Sequence, residues 1–400
     1  MERYLTLGLR LGKHVDGLVD AYYGPPRLAD TVAAEGLRPA EALAADADVL
    51  AAELPEAGLG DARAGWLGDQ LRGIRVYAGV LAGEEISYFD EVEGCYGVRP
   101  ERVPEDVFAE THRKLDELLP PGGSLAERYE AWRTANAVPA ERIVETMTAI
   151  LALLRERTAA IVPLPAEEEF ALELVAGEPW AAFNYYLGGH RSRIVVNTDL
   201  PFSGAEIVHL AAHEGYPGHH TEHATKEELL LDRQGHLEES LQLVPTPQAL
   251  LSEGIAELGG ELLIDDGLET EFARILGAAG VPYDPVEATA IRAAREPLGY
   301  VSRNTALAIH EDGVSVEEAQ AYVERWALAP PKRAAHTIAF VTDPTWRAYI
   351  VTYTEGLRLA RAYVGGDLAR FRRLLTEPVR VSELRDAGAA DADAAISSVP

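Results

Sequence analysis

The chain has 400 residues, 47% of them hydrophobic, which is enough for one large domain or two ordinary ones with a substantial core. Its 36 basic residues face 65 acidic ones, a net charge of −29, and this argues against a nucleic-acid backbone or an anionic membrane as partner. The single cysteine, Cys95, excludes an intrachain disulfide, and no continuous apolar run suggests a signal peptide or membrane span, so a cytoplasmic location is expected.

Apolar positions three and four apart predict helices over 3–21, 40–53, 61–82, 105–118, 124–136 and 139–160. Gly24-Pro25-Pro26, Pro120-Pro121-Gly122-Gly123 and Pro163 with Pro165 punctuate them. Between 163 and 200 the pattern changes. Residues 169–174 and 192–197 read as short strands, separated by Trp180, Phe183, Tyr185, Tyr186 and Gly188-Gly189. Helical patterning returns after Pro201 and runs to about 376. The low-complexity stretch 386–400 reads as a flexible tail. The expected architecture is mainly α, with long helices around a cleft and a small β-sheet inserted near 168–198. A helical region, 1–162, and a second region, 163–385, form one continuous domain.

Directly after the sheet the chain reads HLAAHEGYPGHHTEH, holding five of the 11 histidines: His209, His213, His219, His220 and His223. A catalytic zinc takes three protein ligands and keeps an open position, with a nearby carboxylate as general base. The usual helical pattern spaces two histidines four apart, on one face. Here His219 follows His213 by six positions, about 240° of rotation and about 9 Å of rise on a straight helix, and one ion could not reach both. Pro217 removes this obstacle. It has no amide hydrogen for the carbonyl of His213, and Gly218 beside it tolerates backbone angles other residues resist. We therefore expect the helix to break after Glu214 and swing His219 back toward His213. The pairs His209/His213 and His219/His223, each four apart, remain alternative local ligand pairs.

A third ligand is expected from the next long helix. In TPQALLSEGIAELGGELLIDD, Glu253, Glu257 and Glu261 form a stripe flanked by small residues that suit close helix packing. Glu253 is the expected ligand, and Glu261 is a candidate for orienting a histidine. Arg191 and Arg193, on the strand before the cluster, are candidates for binding a substrate carboxylate, with that strand as the edge along which an extended peptide would lie. Tyr349 and Tyr353, one helical turn apart, are candidate donors to substrate or oxyanion, as are His310 and His336.

HEGYPGHH followed by SEGIAELGGE resembles the H-E-x-x-P-G-H and E-G-x-A signatures of the bacterial domain-of-unknown-function family 885. That family is related to the zincin metallopeptidases and in particular to the Taq-type metallocarboxypeptidases. VDAYYGPP at 19–26, GGHRSRIVVNTDLP at 188–201, the helix around ALAIHEDG and WRAYIVTYTEG at 346–356 extend the resemblance along most of the chain. It implies a zincin-like fold, His213 and His219 as metal ligands, Glu253 as third ligand and Glu214 as catalytic carboxylate. The Y-x-x-G match at Tyr353 and Gly356 implies Tyr353 near the site. Ile255 stands where many relatives carry an aromatic.

The expectation is one Zn²⁺ per chain, with other divalent metals as alternatives, serving a peptidase of carboxypeptidase type that acts on a peptide or small amide. Two rivals stand beside it: a hydrolase of a non-peptide amide or ester, and a catalytically silent binding protein whose site is closed by His220 or His223.

Overall fold

The computed structural model describes residues 1–178 and 180–387, so most of the expected tail, 388–400, lies outside the described residues. The protein is mainly helical. Helices at Ala40–Glu53, Asp61–Ala82, Glu105–Leu118, Leu125–Ala135 and Ile143–Ala159 match the periodicity. The segment 3–21 does not stay helical. Its helix ends at Leu11, Gly17 takes a φ of +80°, and the chain continues as a strand. Tertiary pairing wins over local periodicity there.

Five strands occur among the described residues: β1 (Val19–Tyr22), β2 (Glu169–Val175), β3 (Ala182–Tyr186), β4 (Arg191–Asn197) and β5 (Leu241–Leu243). β1 pairs antiparallel with β5, more than 200 positions away in sequence, with a register shift between Val19 and Ala21. The second sheet has the order β2-β4-β3, β4 lying parallel to β2 and antiparallel to β3. This corrects the edge-strand expectation. β4, which carries Arg191 and Arg193, is the middle strand, and β3, not predicted as a strand, lies at the edge.

Three large hydrophobic clusters build the core, and the first two flank the histidine segment. One joins the N-terminal helices to Leu250, Leu251, Ile255 and Leu258 of the helix Pro247–Leu263. A second packs Met147, Ile150 and Leu151 against the sheet and against Ala211 and Ala212. A third gathers Phe108, Val301, Trp326 and Ile338. His213 thus enters from the second cluster, and Glu253 from the first.

The helices Pro247–Leu263 and Ile350–Val364 meet backbone to backbone. A Cβ on Gly254 would lie 2.4 Å from the carbonyl oxygen of Gly356, and one on Gly356 would lie 2.4 Å from that of Leu250. Only glycine allows this approach, and it carries Tyr349 to Glu253. No described helix is long and apolar enough to cross a membrane.

Candidate metal centre

The helix that begins at Gly204, capped by Ser203 through a box with Glu206, changes at Ala211 into a π-helical turn that ends at Gly215. Such wide turns recur at functional sites. Tyr216 is extended, the Tyr216–Pro217 peptide is cis, and a new helix starts at His219. The expected break after Glu214 is therefore present, one residue later. In place of the amide that Pro217 lacks, the amide of Gly218 donates to the carbonyl of Ala212 at 3.0 Å. The room this requires is absolute: a Cβ at position 218 would lie 1.8 Å from the carbonyl oxygen of His213. Gly218→Ala is accordingly expected to destabilise the fold by about 3 kcal/mol and to lower metal content, measurable by denaturant titration and elemental analysis.

The break brings the Nε2 atoms of His213 and His219 to 3.2 Å of each other. Glu253 reaches both, its Oε2 3.3 Å from His213 and its Oε1 3.6 Å from His219. These three side chains offer two imidazole nitrogens and a carboxylate oxygen, all within 4.8 Å of one another. Glu253 Oε2 is buried without a hydrogen-bond partner among the described residues, a vacancy of bonding that a cation would fill. The residues fit a divalent ion of the zinc type.

Surrounding groups hold these three side chains in place. Tyr349 donates its hydroxyl hydrogen to Glu253 Oε1. His219 Nδ1 lies 3.0 Å from Ser252 Oγ, which donates to Glu222 at 2.6 Å, and Glu222 is paired with Lys226 at 2.6 Å. His213 Nδ1 lies 3.6 Å from Glu257. Glu257 therefore stands where Glu261 was expected. Glu261 lies at the surface, paired with Arg361 at 2.6 Å. Chains of this kind orient metal-bound histidines.

The electrostatics favour positive charge. Burial would lower the pKa of His213, but Glu253 overrides it and raises the value to about 10; His219 is shifted the same way by the same carboxylate. Burial would raise that of Glu253, but the two histidines hold it well below the usual carboxylate range. Glu214 is raised by burial, with the histidines opposing. Its main-chain carbonyl accepts a hydrogen bond from Asn184 Nδ2 at 2.6 Å.

Two chambers meet at this point. An inner one, spanning about 700 Å³ including space open to solvent, is lined by Asp20, Phe183, Trp346 and Tyr349. An outer one of about 1080 Å³, partly open to solvent, is lined by His209, Glu257, Arg333 and His336. His213, Glu214 and Tyr353 line both.

The remaining predicted residues fall as follows. Arg191 is exposed, and Arg193, also exposed, lies 4.5 Å over the ring of Tyr185; neither lines a chamber. Both sit on the exposed face of β4, whose alternate residues Ser192 and Ile194 are buried, and so stand apart from the cleft. His220 is committed elsewhere, to Ser192 and Glu168, each at 2.8 Å. His223 lines the inner chamber and stacks on His219, yet its nitrogens lie outside the group of ligand atoms. His310 donates from Nε2 to the carbonyl of Val341 at 2.7 Å and stacks on Tyr88, away from both chambers. Cys95 is fully buried, and burial raises its thiol pKa, so it is no nucleophile. Asp20 was not anticipated. Burial, with the nearby Glu253 and Glu214, raises its carboxyl pKa to about 7 against the opposing His219.

No family model matches the chain, and no curated protein matches it. Among solved structures it is similar to one described as a candidate lipoprotein from Colwellia psychrerythraea, with 14% identity, a TM-score of 0.53 and 87% of this chain covered. A candidate lipoprotein of unknown function from Shewanella oneidensis matches with 14% identity, a TM-score of 0.48 and 90% of this chain covered. This chain spans 66% of the length of the first and 75% of the second. At such identity the first likeness is one of fold alone.

Proposed function

We propose that the protein is a zinc-dependent peptidase of exopeptidase type, zincin-like in fold, as its resemblance to family 885 implies. The observation that carries the reading is the broken helix. It gathers His213 and His219 around Glu253 while leaving Glu214, outside the ligand group, on the wall of a two-chambered cleft.

His213, His219 and Glu253 would hold the ion, and a divalent cation there acidifies water and polarises a scissile carbonyl. Glu214, buried and raised in pKa, takes a proton from the attacking water and returns it to the leaving amine. Tyr353, lining both chambers, donates to the oxygen on which negative charge develops. Tyr349 positions Glu253 rather than substrate. The edge strand β3, three of whose residues line the inner chamber, is the place for an extended substrate backbone. Arg333 in the outer chamber replaces Arg191 and Arg193 as the candidate for a terminal carboxylate.

The test is a screen of metal-replete protein against short peptides, with matched amides and esters, before and after chelation. The expected result is peptide cleavage that chelation abolishes and zinc restores. Cleavage of esters or non-peptide amides alone, or of nothing, would overturn the peptidase reading in favour of one of its rivals.

A further inference from the structure

The inner chamber has a chemistry that bond cleavage does not by itself require. Asp20 sits where the β1–β5 ladder slips: Val19 pairs with Leu243 and Ala21 with Gln242, leaving Asp20 between them without a partner. Irregularities of this kind re-aim a side chain beside active sites. The Asp20 carboxylate lines the chamber and makes no hydrogen bond or ion pair with any described residue.

Around it runs a continuous aromatic wall. Trp180 meets Phe183 with ring centroids 5.6 Å apart, Phe183 meets Trp346 at 6.3 Å, and Trp346 meets Phe340 at 5.7 Å and Tyr349 at 5.4 Å. No lysine or arginine lines the chamber, whereas Arg333 lines the outer one. Asp20, Glu214 and Glu253 supply three carboxylates, so a bound divalent cation leaves the chamber with acid in excess. A substrate carboxylate would meet repulsion there. An apolar group would suit the rings but leave the Asp20 carboxyl without a hydrogen-bond partner in a poorly solvated place. An ammonium group satisfies both, since aromatic faces and a carboxylate each attract it.

We propose that the inner chamber is a subsite for a substrate ammonium group, with the Asp20 carboxylate accepting its hydrogen bond and the aromatic wall enclosing its alkyl neighbourhood. The inference rests on the hydrolase reading and gives it a direction: the amine-bearing end of a short peptide lies inward, and the carboxylate end lies outward toward Arg333. The ammonium is either the α-amino group or a basic side chain.

Binding to the metal-replete protein is followed by tryptophan fluorescence, Trp180 and Trp346 both lying in the chamber wall. The first probe pair is alanine methylamide and its desamino analogue propionic methylamide. The second is acetyl-lysine methylamide and acetyl-norleucine methylamide. The ammonium member of at least one pair should bind about 10-fold or more tightly than its neutral partner, and Asp20→Asn should bring that ratio to within about 2-fold. A preference in the first pair identifies an α-amine, and one in the second a basic side chain. Equal binding within both pairs, or a preference that Asp20→Asn leaves intact, overturns the proposal. The wild-type comparison decides the matter even if the variant fails to fold. Because no turnover is needed, an ammonium preference without peptide cleavage would defeat the peptidase reading and leave the subsite standing. Cleavage without an ammonium preference would do the reverse.

Discussion

Glu214→Gln should leave metal content unchanged and lower peptide turnover by about 10²–10⁴-fold, the range over which a positioned general base acts. Glutamine keeps the size and hydrogen-bonding reach of the side chain but cannot take up the proton. Glu214 shares the π-helical turn with His213 and lines both chambers, but it is not one of the three ligating groups. Its backbone is held by Asn184 whatever the side chain, so the substitution should not disturb the turn. The raised carboxyl pKa matters here, because a base whose conjugate acid is too strong returns little driving force to the transition state. Elemental analysis and kcat on the best short peptide decide the point together. Turnover at the wild-type rate with metal retained would remove Glu214 from the mechanism, and a loss of metal would make it a ligand instead.

The helix break that brings His213 to His219 was legible in the sequence because the constraint was local and geometric. A spacing of six positions between His213 and His219 forbids a straight helix, and Pro217-Gly218 is the local means of breaking one. The stripe Glu253, Glu257, Glu261 was legible only in part. Each step of four residues turns the helix by about 40° beyond a full circle, so its members drift from His213 Nε2, to His213 Nδ1, to the surface beside Arg361. What escaped was set by distant partners. Val19–Tyr22 reads as the end of a helix because the strand that captures it lies at Leu241–Leu243, and with that pairing Asp20 was hidden. β3 escaped because Ala-Phe-Asn-Tyr-Tyr has no clean alternation, its aromatic residues falling on both faces: Phe183 lines the inner chamber, whereas Tyr186 packs on Tyr23. The place of β4 in the sheet escaped because alternation along a strand tells which residues share a face but not which strand lies at the edge.

His213→Ala, His219→Ala and Glu253→Ala should each lose bound metal by more than the 10- to 100-fold in affinity that about one outer-shell contact contributes. The Glu253 variant should lose most in stability as well, because it leaves two buried imidazoles facing each other at 3.2 Å without their carboxylate. Metal binding should also expel a proton. In the metal-free protein Glu253 raises the pKa of His213 from 6.5 to about 10 despite the opposing burial. A group raised in the folded state contributes stability that is full below its unfolded value and is lost as pH rises through its folded value. The His213–Glu253 pairing therefore supports the metal-free fold below about pH 6.5 and fades toward about pH 10. A ligating imidazole must be neutral, so near about pH 8 binding should release about one proton from His213, and above about pH 10 that release should vanish. Calorimetry in buffers of different ionisation enthalpy measures this directly. Metal retained in the His219 and Glu253 variants but lost in His213→Ala would require the ligand set to be redrawn around His209, His213 and Glu257, the second group of donors the fold brings together. Full retention in all three, or zinc binding near neutral pH without proton release, would remove the proposed site.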